Sequence, residues 1–175
     1  MARVRRHPES GRSGSDLLGI YLNDHLAGST SGLELARRVA AAHRGTPMGG
    51  TLAPFVDDIT EDRGALLDIM TKLGVPVRHY KVWSAWAAEK VTRLKLNGEL
   101  LGRSPLSSLI ELETLRLGVE GKAACWRSLR SLAERDGRFD AQRLDLLLER
   151  AHDQIETLED LRVQTSHEIF MSAAP

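Results

Sequence analysis

The stretch GVPVRHYKVWSAWAAEKVTRLKLNGELLGRSP, residues 74–105, decides the architecture. It opens on a helix stop, Gly74-Val75-Pro76, and closes on a helix start, where Ser104 caps and Pro105 takes the first helical position. About 30 residues lie between these signals. On either side, long amphipathic stretches are separated only by short breaks, Gly45-Thr46-Pro47 upstream and Asp136-Gly137 downstream. Short connections make antiparallel hairpins, whereas a connection as long as 74–105 is enough to travel the length of a bundle.

Four helices follow from this punctuation. Helix A is expected from Asp16 to Arg44, with Ser13 offering a capping box, and helix B from Leu52 to Leu73, with Pro54 in its first turn. Helix C runs from Pro105 to Arg135, and helix D from its cap Asp140 to Phe170. At about 1.5 Å per residue these helices span roughly 33 to 47 Å. Val82, Trp83, Trp86, Ala87, Val91 and Leu94 recur at helical spacing, which predicts a short fifth helix inside the segment Val75–Arg103. The fold class is therefore all-α. A single bundle domain over residues 16–170 lies between a flexible basic tail, 1–15, and a C-terminal tail, 171–175.

Charge and composition narrow the functional classes. Acidic and basic residues balance at 24 each, so no global field draws the chain to nucleic acid or to an anionic membrane. No apolar run reaches the roughly 18 residues of a membrane helix. The first residues lack the apolar core of a secretory signal, and a single cysteine, Cys125, excludes a disulfide framework and any CxxC motif. A cytoplasmic setting is expected. Only 5 of the 24 cations are lysines, an arginine excess that fits a GC-rich bacterial genome.

Helical wheels place some polar residues on apolar faces. In helix A, Leu17, Leu18, Tyr21, Leu35, Ala36 and Val39 define the face; His25, Gly28, Ser29 and Gly32 lie within it, and Glu34 lies opposite. The small residues suggest a close helix approach, within the fold or across a dimer interface. In helix B, Asp62 falls within the stripe of Phe55, Ile59, Leu66, Ile69 and Leu73, while Glu61 and Asp68 point away. Helix C carries Glu113, Arg116 and Glu120 along one flank. Helix D has a stripe of Leu144, Leu148, Ala151, Ile155 and Leu158, interrupted by Arg162 and bordered by His152 and Glu159. Asp62, Glu120 and His152 come out near mid-bundle.

Two hairpins joined by one long crossover resemble the ferritin-like superfamily, at the level of layout and over residues 16–170. That resemblance implies a metal centre of Fe or Mn, built from one Glu on each of two helices and a Glu-x-x-His on each of the other two. One such match is present, Glu149-Arg150-Ala151-His152, and helix B lacks the second. The resemblance thus implies Glu149 and His152 as ligands, with Asp62 and Glu120 as the nearest substitutes elsewhere. The alternative is a buried ion-pair network, in which Asp62, Glu113 or Glu120 pairs with Arg116 or Arg162 and His25 bonds to a carboxylate.

Other chemistry finds little support. Cys125 is expected away from the core face with no histidine near in sequence. Met48-Gly49-Gly50-Thr51 matches no phosphate-loop spacing, and no nucleophile turn is present. Trp83 and Trp86, with His79 and Tyr80, are expected to seal one bundle edge, or else to form a small-molecule or partner site. Arg127, Arg130, Arg135, Arg138 and Arg143, interleaved with Glu134, Asp136 and Asp140, read as a solvated, salt-bridged end. The expectation is a helical bundle acting through protein interaction or self-association, for example as a homodimer, with no catalytic residue and no cofactor. The alternative is a divergent metalloprotein that handles or oxidises with Fe or Mn.

Overall fold

The computed structural model of the chain describes residues 13–78 and 104–172. Within them lie four α-helices and no strand: α1 (Gly14–Ala42), α2 (Pro47–Lys72), α3 (Pro105–Ala133) and α4 (Ala141–Ser172). The expected fifth helix, the Trp83 and Trp86 cluster and most of both tails fall outside the described residues.

Each end has a local cause. Ser13 and Asp16 close a reciprocal capping box at the start of α1: the Ser13 hydroxyl accepts from the Asp16 N–H, and the Asp16 carboxylate accepts from the Ser13 N–H. Gly74, at φ +67°, ends α2 in the left-handed region. This lets the Val75 N–H reach back to the Met70 carbonyl at 2.9 Å. The Arg143 N–H donates to the Asp140 carboxylate at 3.0 Å, capping α4.

One boundary corrects the sequence reading. Helix α2 starts at Pro47, not Leu52, because Thr46 caps it by accepting the Gly49 N–H at 3.2 Å. Pro54 therefore sits well inside the helix, where it leaves the Gly50 carbonyl without its usual donor. Glycine is required at position 49, since a Cβ there would lie 2.1 Å from the His43 carbonyl oxygen of the α1–α2 turn. Gly28 and Gly32 are different: a Cβ at either meets nothing within 4 Å. The close helix approach that their spacing suggests does not occur within the described residues.

Helix directions follow from cross-helix contacts. Tyr21 meets Ser128 and His43 meets Ser108, so α1 and α3 are antiparallel. Asp68 meets Arg143 and Glu61 meets Arg150, so α2 and α4 are antiparallel as well. With α1–α2 and α3–α4 as hairpins, α2 and α3 run parallel, and residues 78 and 104 lie at opposite ends of the bundle. Buried Asn23 anchors the chain as it leaves α2. Its amide donates to the Gly19 and Pro76 carbonyls, and its oxygen accepts the Arg78 N–H.

The core is a set of stripes at alternating three- and four-residue spacing, which keeps one face of each helix turned to its partners. On α2 the stripe is Leu52, Phe55, Ile59, Asp62, Leu66 and Ile69; on α3 it is Leu112, Leu115, Val119, Trp126 and Leu129, with the partly buried Lys122 between Val119 and Trp126. On α4 it is Leu144, Leu147, Ala151, Gln154, Leu158, Leu161 and Thr165, rotated slightly from the stripe expected through Leu148 and Ile155. Cys125 is buried too, against expectation, because α1 covers that side of α3 and brings Tyr21 to its thiol.

Candidate functional site

Each of these three stripes carries a polar residue near mid-bundle, Asp62, Lys122 and Gln154, and the three meet. The Lys122 ammonium donates to both the Asp62 carboxylate and the Gln154 side-chain carbonyl. An ammonium only donates, so Gln154 must present Oε1 to it and turn Nε2 away. Arg150, one turn before Gln154, closes the group from outside, with Nη2 at 2.5 Å from Asp62 Oδ1 and Nη1 at 2.7 Å from Glu61. Asp58 stands at 4.0 Å from the same Nη1.

The electrostatics follow from this placement. Asp62 is only 2% exposed and receives two cations. Burial pulls the Lys122 ammonium below its ordinary range, and Asp62 offsets only part of that pull. Burial also acts against the Arg150 charge, but Asp62, Glu61 and Asp58 together outweigh it and hold the guanidinium more firmly protonated. The result is a carboxylate clamped between cations. Each oxygen of this carboxylate faces a cation, Oδ2 the Lys122 ammonium and Oδ1 the Arg150 guanidinium, which suits structure rather than proton transfer or metal ligation.

The four residues expected as ligands end up in different surroundings. Asp62 is in the core, as its wheel position requires. Glu120 is half-exposed on the flank of α3, 3.8 Å from Arg116. Glu149 and His152 lie on the exposed side of α4. Among the described residues, no three His, Cys, Asp or Glu side chains are grouped to hold a metal ion. Of the expected ion pairs, Arg116–Glu120 and Arg162–Glu113 form, extended by Arg116–Glu159 at 3.0 Å and Arg162–Glu159 at 2.6 Å. The partners of Asp62 are neither Arg116 nor Arg162. Neither Lys122 nor Gln154 is among the residues expected at the site, and the expected α4 stripe, centred on Leu148 and Ile155, leaves Gln154 to one side. The signal was present, since each occupies a stripe position otherwise held by an apolar residue.

Other candidate groups resolve simply. His25 is half-buried and meets Tyr21 edge to face, ring centres 4.5 Å apart; burial lowers its pKa, against the nearby Asp24 charge. Burial pushes the Cys125 thiol up to about 12, leaving almost no thiolate at neutral pH. Of the five arginines expected to form a salt-bridged α3–α4 end, three pair among the described residues: Arg138 with the expected Asp136, and Arg130 and Arg143 with Asp145 and Asp68 instead.

A groove borders the polar group. Helices α2 and α4 touch at few points, and above the Arg150 contact they part to leave an open cleft of about 500 Å³. Its walls include Pro54, Phe55 and Leu146, with Asp58, Glu149, Arg150, Asp153 and Gln154 between them. Helices α1 and α3 lie closer together along the opposite side. No helix among the described residues is long and apolar enough to cross a membrane. Comparison of the chain with protein-family models, curated proteins and solved structures found no match.

Proposed function

We propose that this protein acts through protein association, with a partner or with a second copy of itself, and carries no catalytic chemistry of its own. The observation that carries this proposal is the α2–α4 groove: open to solvent, with Pro54, Phe55 and Leu146 on its walls among polar and charged side chains, and Leu146 at 61% exposure. Exposed apolar grooves between helices are sites where proteins seat segments of other proteins. The buried Asp62 and its neighbour Lys122 are occupied in pairing with each other, with Arg150 and with Gln154. A ferritin-like crossover is part of the same proposal, supported by the parallel run of α2 and α3, and so is a cytoplasmic setting, supported by a lone buried cysteine.

The test places a photo-crosslinking residue at position 146 and, as control, at position 17, which is exposed away from the groove. Sedimentation of the unlabelled chain over a hundredfold concentration range accompanies it. We expect either a concentration-dependent mass above 19.3 kDa that Leu146→Arg abolishes, or a discrete cross-linked product from position 146 alone. A monomer at every concentration with no position-specific product defeats the proposal. One or more equivalents of Fe or Mn in purified protein, lost in His152→Ala, would replace it with the metalloprotein alternative.

A further inference from the structure

We infer that the α2–α4 groove receives a basic segment of a partner protein, one that presents a main-chain carbonyl beside an apolar side chain and a lysine or arginine. The inference deepens the association function proposed above and rests on it. Three observations converge on this chemistry.

The first is a pair of unanswered donors. Gln154 is 4% exposed; its Oε1 accepts from Lys122, and its Nε2 has no acceptor among the described residues. Arg150 Nε, one helical turn away, is likewise buried without an acceptor. A buried donor left unpaired costs about 1–3 kcal/mol, and both side chains line the groove, so a segment seated there needs only a side-chain turn to bring an acceptor to them. The second is charge. Glu149 and Asp153 line the same groove and make no ion pair among the described residues, so an anionic ligand is repelled and a cation is drawn in. A neutral carbonyl satisfies the donors without that repulsion, and an adjacent cationic side chain satisfies the acids. The third is the wall of Pro54, Phe55 and Leu146, against which an apolar side chain loses water. Peptide backbone carrying a basic and an apolar residue combines all three features. A segment with free carbonyls, extended or turned, meets the donors in a way that a regular helix does not, since a helix spends its carbonyls internally.

The experiment titrates two capped peptides, acetyl-Leu-Arg-Leu-amide and acetyl-Leu-Glu-Leu-amide, into the full ¹⁵N-labelled chain, and follows the Gln154 side-chain amide. We expect a saturable shift of that resonance with the arginine peptide, and binding about tenfold weaker for the glutamate peptide, a difference of about 1.4 kcal/mol. The double variant E149Q/D153N, altered only at exposed positions, is expected to remove most of that preference while its spectrum stays native. No saturable shift, equal binding of the two peptides, or a preference that survives the double variant each overturns the inference. If position 146 still yields its cross-link or its association while neither peptide binds, the association function stands and the basic-segment assignment falls.

Discussion

The two sides of this bundle are held by different means. Along the α1–α3 side, the contacts between described residues include Tyr21 with Ser128, His43 with Ser108, and the ion pair Arg38–Glu111 at 3.5 Å. The antiparallel register sets Gly28 at the level of Gly121, and a Cβ at any of Gly28, Gly32, Gly118 or Gly121 would enter open space. Along the α2–α4 side, charged contacts dominate at Arg143–Asp68 and around Arg150, and above them the helices part. One side is therefore held mainly by uncharged contacts and the other by charge. Charge fixes position sharply but does not fill space, which is why the groove lies beside the charged side.

The largest test of this contrast is Asp62→Ala. It strands the Lys122 ammonium in the core and should cost about 3–5 kcal/mol by urea denaturation. A cost below about 1 kcal/mol would show that the carboxylate is not the centre of the charged side. Replacing all three, D62L/K122L/Q154L, should be neutral or stabilising by up to about 4 kcal/mol, because packed apolar residues match or exceed a desolvated ion pair. If the triple variant falls as far as the single one, the polar group contributes net stability and the contrast between sides is wrong.

The two sides also bear on how much was legible in sequence. Helix number, pairing and the exposure of Glu34, Glu61 and Asp68 were readable because periodicity and Gly-Pro stops are local signals. The buried place of Asp62 was readable for the same reason. Its partners were not, since which helix supplies a counter-charge depends on lateral order and height, and these are set by packing between distant segments. Cys125 was misplaced because a wheel locates one apolar face, whereas α3 is covered by both α1 and α4. The start of α2 was missed because Gly49-Gly50 reads as a loop; only the three-dimensional approach of the His43 carbonyl explains a glycine there.

That last point gives a smaller test, one substitution with two signs. Gly49→Ala collides with the His43 carbonyl and should lose about 1–3 kcal/mol. Gly28→Ala or Gly121→Ala has room for its methyl and should gain about 0.8–1 kcal/mol from helix propensity, measured by thermal melting. A loss at Gly28 would mean that α1 and α3 approach more closely than their open Cβ positions indicate.

The smallest effect is in pH dependence. His25 on α1 and Lys122 on α3 both have folded-state pKa values lowered by burial, so between the folded and ordinary values the unfolded chain binds more protons. Stability contributed by each group therefore rises with pH, below about 6.5 for His25 and below about 10.5 for Lys122, and falls as pH drops through those windows. Comparing denaturation curves of His25→Phe and Lys122→Met with the unaltered chain should flatten the acid and the alkaline slope respectively. An unchanged slope in either variant would assign that window to another group.

The distribution of charge between the hairpins has a consequence for synthesis. The first hairpin owns the anion, Asp62; the second owns both cations that answer it, Lys122 and Arg150. As the chain leaves the ribosome, the first hairpin must wait for 88 further residues, from position 62 to 150, before its carboxylate is fully answered. At about 5–20 residues per second that is roughly 4 to 18 s. Through that interval the nascent first half is an unfinished object with one buried-face carboxylate open to any basic surface it meets.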